Sequence, residues 1–193
     1  LPNRAAYAET CASVGCMFWS HRMFRMTGQS RYYDTFERIL YNAFLAGISL
    51  DGERFFYVNP LESEGDHHRL PWYTCACCPP NVMRQIAMVG HYAATVDESG
   101  IQIHQYLSAN IEAELGAGRH IVLHTETDYP WNGKVEIAVE QTDGNKWSLS
   151  LRVPGWCESA GLCVNGERIE VAAIGGTYAT IDRVWRAGDR IEL

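Results

Sequence analysis

The sequence predicts a helical segment followed by an antiparallel β-sandwich, and three observations lead there. Apolar residues recur at three- and four-residue spacing through the first half of the chain. Strict two-residue alternation takes over after Gly100. The second half is punctuated by Asn132-Gly133, Asp143-Gly144 and Asn165-Gly166, dipeptides that favour tight turns between short strands.

Each element follows from its own pattern. Val14, Met17, Phe18, His21 and Phe24 space out one helix over residues 10–26, and Gly28 supplies its stop. Ser30 is placed to cap a second helix, whose apolar face carries Tyr33, Phe36, Leu40, Ala43 and Phe44 as far as Gly47. The period then changes. Ile48 to Leu50, the Asp51-Gly52 turn signal and Arg54 to Val58 predict a short hairpin, followed by a polar loop over residues 59–74 that contains His67 and His68. Pro79-Pro80-Asn81 opens a third helix expected to reach Thr95, since proline suits a first helical turn. Beyond Gly100, Val135, Ile137 and Val139 alternate with Glu136, Ala138 and Glu140, and Trp147, Leu149, Leu151 and Val153 with Ser148, Ser150 and Arg152. The boundary between the two parts is expected near residues 96–100.

Composition narrows the function. Lys and Arg total 16 against 23 Asp and Glu, a formal charge of −7, which argues against a nucleic-acid partner because phosphates call for a basic face. No stretch has the roughly 20 consecutive apolar residues that cross a bilayer, so no integral membrane protein is expected. The opening Leu1-Pro2-Asn3-Arg4 has no initiator Met or signal segment, and the closing Asp189 to Leu193 reads as mid-strand, so a fragment of a longer chain is expected.

Seven cysteines stand at 11, 16, 75, 77, 78, 157 and 163. Three of them within four residues cannot all pair locally, given the Cα separations of about 4.4–6.8 Å that disulfides require. Reduced thiols, a cytoplasmic setting and metal binding by some of them form the economical reading. Glu9-Thr10-Cys11 and Cys75-Ala76-Cys77-Cys78-Pro79-Pro80 together offer one carboxylate and up to four thiolates, from which zinc takes four ligands. The helix after Pro79 points its positive end at these sulfurs and favours thiolate. Buried packing is the competing reading for any single cysteine, Cys11 included, and is assigned to Cys16, Cys157 and Cys163.

The segments Leu1-Pro2-Asn3 … Ala6-Tyr7-Ala8-Glu9-Thr10-Cys11-Ala12-Ser13, Tyr57-Val58-Asn59-Pro60-Leu61-Glu62 and Cys75-Ala76-Cys77-Cys78-Pro79-Pro80-Asn81 resemble glycoside hydrolase family 127, the β-L-arabinofuranosidases. Asp128-Tyr129-Pro130-Trp131-Asn132-Gly133 and Arg152-Val153-Pro154-Gly155-Trp156 are similar to that family's β-sandwich. The resemblance covers the whole chain. It implies the last helices of an (α/α)6 barrel over residues 1–97 and a β-sandwich over residues 98–193. It further implies a retaining glycosidase that releases terminal β-L-arabinofuranose. In that reading Zn2+ is held by Glu9, Cys11, Cys77 and Cys78, the sulfur of Cys77 is the nucleophile, and Tyr57 and Glu9 face the sugar. The implied partner is an arabinofuranoside-containing oligosaccharide or glycopeptide, and a homodimer is the candidate assembly. The family's general acid/base glutamate matches a position ahead of Leu1, so the 193 residues by themselves are expected to be inactive. His67 and His68 match none of the family's sugar-binding histidines and are expected in solvent, as are Glu62 and Glu64. Trp72 is a candidate pocket wall, the other tryptophans core or interface residues. The competing functional reading is a non-catalytic carbohydrate-binding module with a structural zinc site. A thiol oxidoreductase working through Cys77 and Cys78 is disfavoured by the lack of a C-x-x-C motif near a βαβ pattern.

Overall fold

A computed structural model describes residues 2–193; Leu1, which begins the first of the segments above, lies outside them. The chain divides into two compact units, Leu1–Gly90 and His91–Leu193.

The first unit is built on three helices. α1 (Thr10–Thr27) ends at Gly28, whose φ of 68° is the left-handed conformation that lets its N–H reach back to the Phe24 carbonyl at 2.7 Å. α2 (Arg31–Ile39) begins after Ser30, which stands at the cap position but makes no side-chain cap bond. Its own backbone is already helical, so its carbonyl simply accepts from Tyr33 and Asp34. Beyond Ile39 the helix loosens into a π turn (Leu40–Phe44) and a 3-10 turn (Leu45–Gly47), which is why the apolar stripe continues to Gly47. Val14, Met17 and Phe24 of α1 are buried, as are Tyr33 and Phe36 of α2, with the Phe24 and Tyr33 rings edge to face at 4.9 Å. α3 (Cys78–Met88) opens at the prolines as the sequence predicts, with Cys77 as its cap residue.

Two expectations need correction here. The hairpin over residues 48–58 is reduced to isolated bridges, Ile48 with Phe55 and Phe55 with Leu70, because the segment is pulled three ways by partners rather than paired along its length. The third helix does not reach Thr95. It gives way at Met88 to a 3-10 turn (Val89–Tyr92), and Thr95 sits in the first strand.

The second unit contains ten strands in two sheets. One has the order β1 (Ala94–Val96), β2 (Gly100–Ile103), β6 (Lys146–Val153), β9 (Thr177–Val184). The other runs β3 (Ala109–Leu115), β4 (Arg119–Thr127), β5 (Val135–Gln141), β10 (Arg190–Glu192), β7 (Cys163–Val164), β8 (Glu167–Arg168). The inward residues of both join one hydrophobic cluster that includes Ile101, Leu149, Ala179 and Trp147 from the first sheet and Leu123, Ile137 and Ile191 from the second. The alternation read at Val135, Ile137 and Val139 and at Trp147, Leu149 and Leu151 is therefore the buried face of each strand. The pairing is not wholly antiparallel: β2 and β6 run parallel, which the long excursion through β3, β4 and β5 between them makes possible. Of the three turn signals, Asn165-Gly166 makes a tight hairpin between β7 and β8, with both residues at positive φ, whereas Asp143-Gly144 connects strands of different sheets. Among the described residues no helix is long and apolar enough to cross a membrane.

Candidate functional site

The site is assembled by a short backbone clamp in the first unit. Glu9 bridges antiparallel to Val58, the Thr10 amide donates to the Tyr57 carbonyl at 2.9 Å, and the Asn59 amide donates to the Ala8 carbonyl at 2.8 Å. Thr10, fully buried, locks the clamp: its hydroxyl donates to the Phe56 carbonyl and accepts from Asn59 Nδ2, both at 2.8 Å. Gly47 lies beneath this pair, where a Cβ would come within 3.2 Å of Thr10 Oγ1 and 3.3 Å of Asn59 Oδ1. The clamp holds Glu9 and Tyr57 side by side at the start of α1. Cys11, one turn residue further, sits on the same helix end.

α3 brings the remaining sulfurs. The Cys77 amide turns back to the Cys75 carbonyl at 3.1 Å and the Cys77 carbonyl accepts from Asn81, so the backbone bends between Cys75 and the first helical turn. This irregularity lets adjacent Cys77 and Cys78 present sulfurs to one place, 3.8 Å apart. Cys11 Sγ lies 3.4 Å from Cys78 Sγ, and Glu9 Oε1 is 3.5 Å from Cys77 Sγ and 3.8 Å from Cys78 Sγ. The four ligand atoms all fall within 4.8 Å of one another, an arrangement that could hold a metal ion. All seven cysteines are free thiols.

Electrostatics distinguishes the three sulfurs. The Cys77 Sγ donates to the Tyr57 hydroxyl at 3.2 Å, and the hydrogen-bonding partnership with that phenol holds the Cys77 thiol below its ordinary range. The same bond pushes the Tyr57 phenol up, so it remains a proton donor. Burial pushes the Cys78 thiol up, and also that of Cys11, against the lowering effect of a hydrogen bond from Asn81 Nδ2 at 3.2 Å. Burial thus opposes ionisation of Cys11 and Cys78, whereas the phenol beside Cys77 shifts its thiol in the other direction.

All five residues singled out by the sequence, Glu9, Cys11, Tyr57, Cys77 and Cys78, meet here. His67 and His68 do not, yet His67 is not idle: its ring stacks on Phe56 at 4.9 Å and its Nε2 bonds the Val58 carbonyl, bracing the Tyr57 segment from outside. Glu64 is exposed and pairs with Arg4, and Trp72 is 54% exposed. Sequence reading passed over Thr10, Asn59, Tyr73 and the role of Asn81. Tyr73 accepts from the Tyr57 amide at 3.1 Å and donates to the Phe55 carbonyl at 2.7 Å, with its ring edge to face against Tyr57. Asn81 had a signal: three and four residues beyond Cys78 and Cys77, it stands over them on the first turn of α3.

Family models for β-L-arabinofuranosidase match almost end to end, the GH127 catalytic domain over residues 1–91 and the GH127 middle domain over residues 100–193. The chain belongs to glycoside hydrolase family 127. Among its family relatives, the non-reducing end β-L-arabinofuranosidase of Bifidobacterium longum subsp. longum is 35% identical across all of this chain and 31% of its own length. The crystal structure of a GH127 β-L-arabinofuranosidase from Geobacillus stearothermophilus T6 is 41% identical, with a TM-score of 0.91 over all of this chain and 32% of that one. A GH127 β-arabinofuranosidase structure is 37% identical with a TM-score of 0.92, again covering all of this chain and 32% of the other. This family 127 chain therefore spans about a third of the length of the relatives it matches.

Proposed function

We propose that the parent protein hydrolyses terminal β-L-arabinofuranosides with retention, and that this stretch supplies the nucleophile and the metal ligands. One observation carries the proposal: Glu9, Cys11, Cys77 and Cys78 converge, with the Cys77 sulfur alone among them lying against the Tyr57 hydroxyl. On this reading residues 1–97 are the closing helices of an (α/α)6 catalytic barrel and residues 98–193 a β-sandwich, as the shared core of the two sheets supports. A reducing, cytoplasmic setting goes with it, since the chemistry needs free thiols.

The donor set fits zinc. Bonds of about 2.3 Å to sulfur and 2.0 Å to carboxylate oxygen put tetrahedral ligands about 3.8 Å apart for sulfur pairs and about 3.5 Å for sulfur with oxygen. The Cys77–Cys78 separation of 3.8 Å and the Glu9–Cys77 separation of 3.5 Å meet those values, while the Cys11–Cys78 pair at 3.4 Å and the Glu9–Cys78 pair at 3.8 Å would each shift by a few tenths of an ångström around an ion. Bound there by Glu9, Cys11, Cys77 and Cys78, zinc would keep the sulfurs deprotonated at neutral pH.

The protein's own groups do the rest. The Tyr57 hydroxyl, 3.2 Å from the Cys77 sulfur, would donate to that sulfur once it is ionised and fix its direction, while Tyr73 fixes Tyr57. The sulfur attacks the anomeric carbon of the sugar, a carbon–sulfur bond forms, and the glycosidic carbon–oxygen bond breaks. The departing alcohol takes a proton from a glutamate supplied outside these residues. Water then attacks the same carbon, the carbon–sulfur bond breaks, and the proton returns to that glutamate, so two inversions leave the configuration retained. An arabinofuranoside-bearing oligosaccharide or glycopeptide is the substrate class.

Cys77→Ser in the parent protein tests the reading. Turnover of an arabinofuranoside should fall at least a thousandfold, as loss of a covalent nucleophile does, and it should stay that low when assayed with zinc added to saturation, which separates loss of the nucleophile from loss of a metal ligand (about 10³ or more). The 193 residues alone should show no hydrolysis of an unactivated arabinofuranoside, because the proton donor is missing. Near-normal turnover by the Ser variant would overturn the proposal.

A further inference from the structure

The geometry points to Asn81 as the residue that positions Cys11 for the metal and thereby sets how tightly the site holds it, an inference that rests on the metal reading above. Each sulfur of the cluster has a different neighbour. Cys77 has the Tyr57 hydroxyl at 3.2 Å, Cys78 has the Tyr57 carbonyl at 3.7 Å, and Cys11 has the side-chain amide of Asn81 at 3.2 Å. Cys77 and Cys78 are presented by the bend that opens α3, whereas Cys11 comes from a different helix, α1. Two groups of α3 reach its sulfur, Cys78 Sγ at 3.4 Å and Asn81 Nδ2 at 3.2 Å. Asn81 is held in place by its own amide, which donates to the Cys77 carbonyl at 3.1 Å.

The neutral amide N–H, 3.2 Å from the Cys11 sulfur, orients that ligand atom without adding charge to the site. Ligand and donor are also prearranged, which removes part of the ordering that binding would otherwise require. Asn81 touches neither metal nor sugar; it acts through Cys11.

Zinc affinity of the chain, read by competition with a chromophoric chelator, tests this. Asn81→Leu keeps the size and removes the donor; Asn81→Asp keeps the shape and turns the donor into a like-charged acceptor beside the sulfur. Removing an outer partner of a metal ligand weakens binding about 10–100-fold, which is the expected loss for Leu, with Asp weaker still. The cobalt-loaded chain gives a second reading, since the near-ultraviolet sulfur-to-cobalt band should shift in both variants. Far-ultraviolet circular dichroism of the metal-free chains should be unchanged in Asn81→Asp, separating a positioning effect from a folding defect. Variants that bind zinc within twofold of the unsubstituted chain, with the cobalt band unmoved, would overturn the assignment of Asn81 alone. Failure of the unsubstituted chain to take up zinc or cobalt would overturn the metal reading and this inference with it.

Discussion

Thr10 shows how a residue that touches no reacting atom can control a site. It stands between Glu9 and Cys11 in sequence, and its side chain points the other way, into the clamp with Phe56 and Asn59. Because helix neighbours diverge, burying Thr10 turns the residues on either side of it toward the α3 sulfurs. Valine has the same shape without the hydroxyl, so Thr10→Val would take a partner from the half-buried Phe56 carbonyl and Asn59 amide at a fully buried side chain. The expected cost is about 1–3 kcal/mol of stability, measured by denaturant unfolding, with metal affinity falling as Glu9 loses its fixed register. Unchanged stability and affinity would show that the backbone bridge from Glu9 to Val58 suffices by itself.

At the scale of elements, the close approach of β2 to β6 is the least forgiving packing in the second unit. A Cβ built on Gly100 would lie 1.8 Å from the Ser148 carbonyl oxygen, a backbone atom that cannot step aside. Gly100→Ala should therefore cost more than the roughly 1–3 kcal/mol typical of overpacking, and unfolding followed by the buried Trp147 and Trp185 should move to lower denaturant. A variant as stable as the parent sequence would mean the β2–β6 pairing can slide without loss. The helices and the strands β5 and β6 were legible because burial is one-sided: Val14, Met17 and Phe24, or Trp147, Leu149 and Leu151, each line a single face. The stretch from Ile48 to Val58 was not legible as built. Its pattern of alternating and aromatic residues is that of a hairpin, but Phe56 is taken by His67 and Arg69 and the Tyr57 backbone by Thr10 and Tyr73, tertiary partners that override local pairing. Likewise the parallel pairing of β2 with β6 depends on what intervenes between them, which alternation cannot express.

For the whole molecule, the four ligands were legible because the chemistry needs rare residue types in tight groups, and the spacing of Cys77 and Cys78 before two prolines is conspicuous in itself. What holds them in register was less so: Thr10, Asn59, Tyr73 and Asn81 are common polar residues whose meaning comes only from long-range contacts. On the proposed metal reading, binding is linked to the folding of the first unit. Cys11 and Glu9 come from the start of α1, Cys77 and Cys78 from the start of α3, and the chain between them contains α2 and the clamp segment, so only the folded unit can gather all four. A ligand bound by the folded form alone stabilises it by about 2.7 kcal/mol when present at a hundred times its dissociation constant. Zinc added to the chain should thus raise the thermal midpoint of the helical signal by several degrees, and a strong chelator should reverse the shift, because the three α-helices all belong to this unit. The partly exposed Cys11 and Cys77 should at the same time become protected from alkylation while exposed Cys75 continues to react, resolved peptide by peptide in a mass spectrum. A midpoint indifferent to zinc, with these sulfurs alkylated as fast as Cys75, would mean that their convergence reflects packing of thiols rather than a site for an ion.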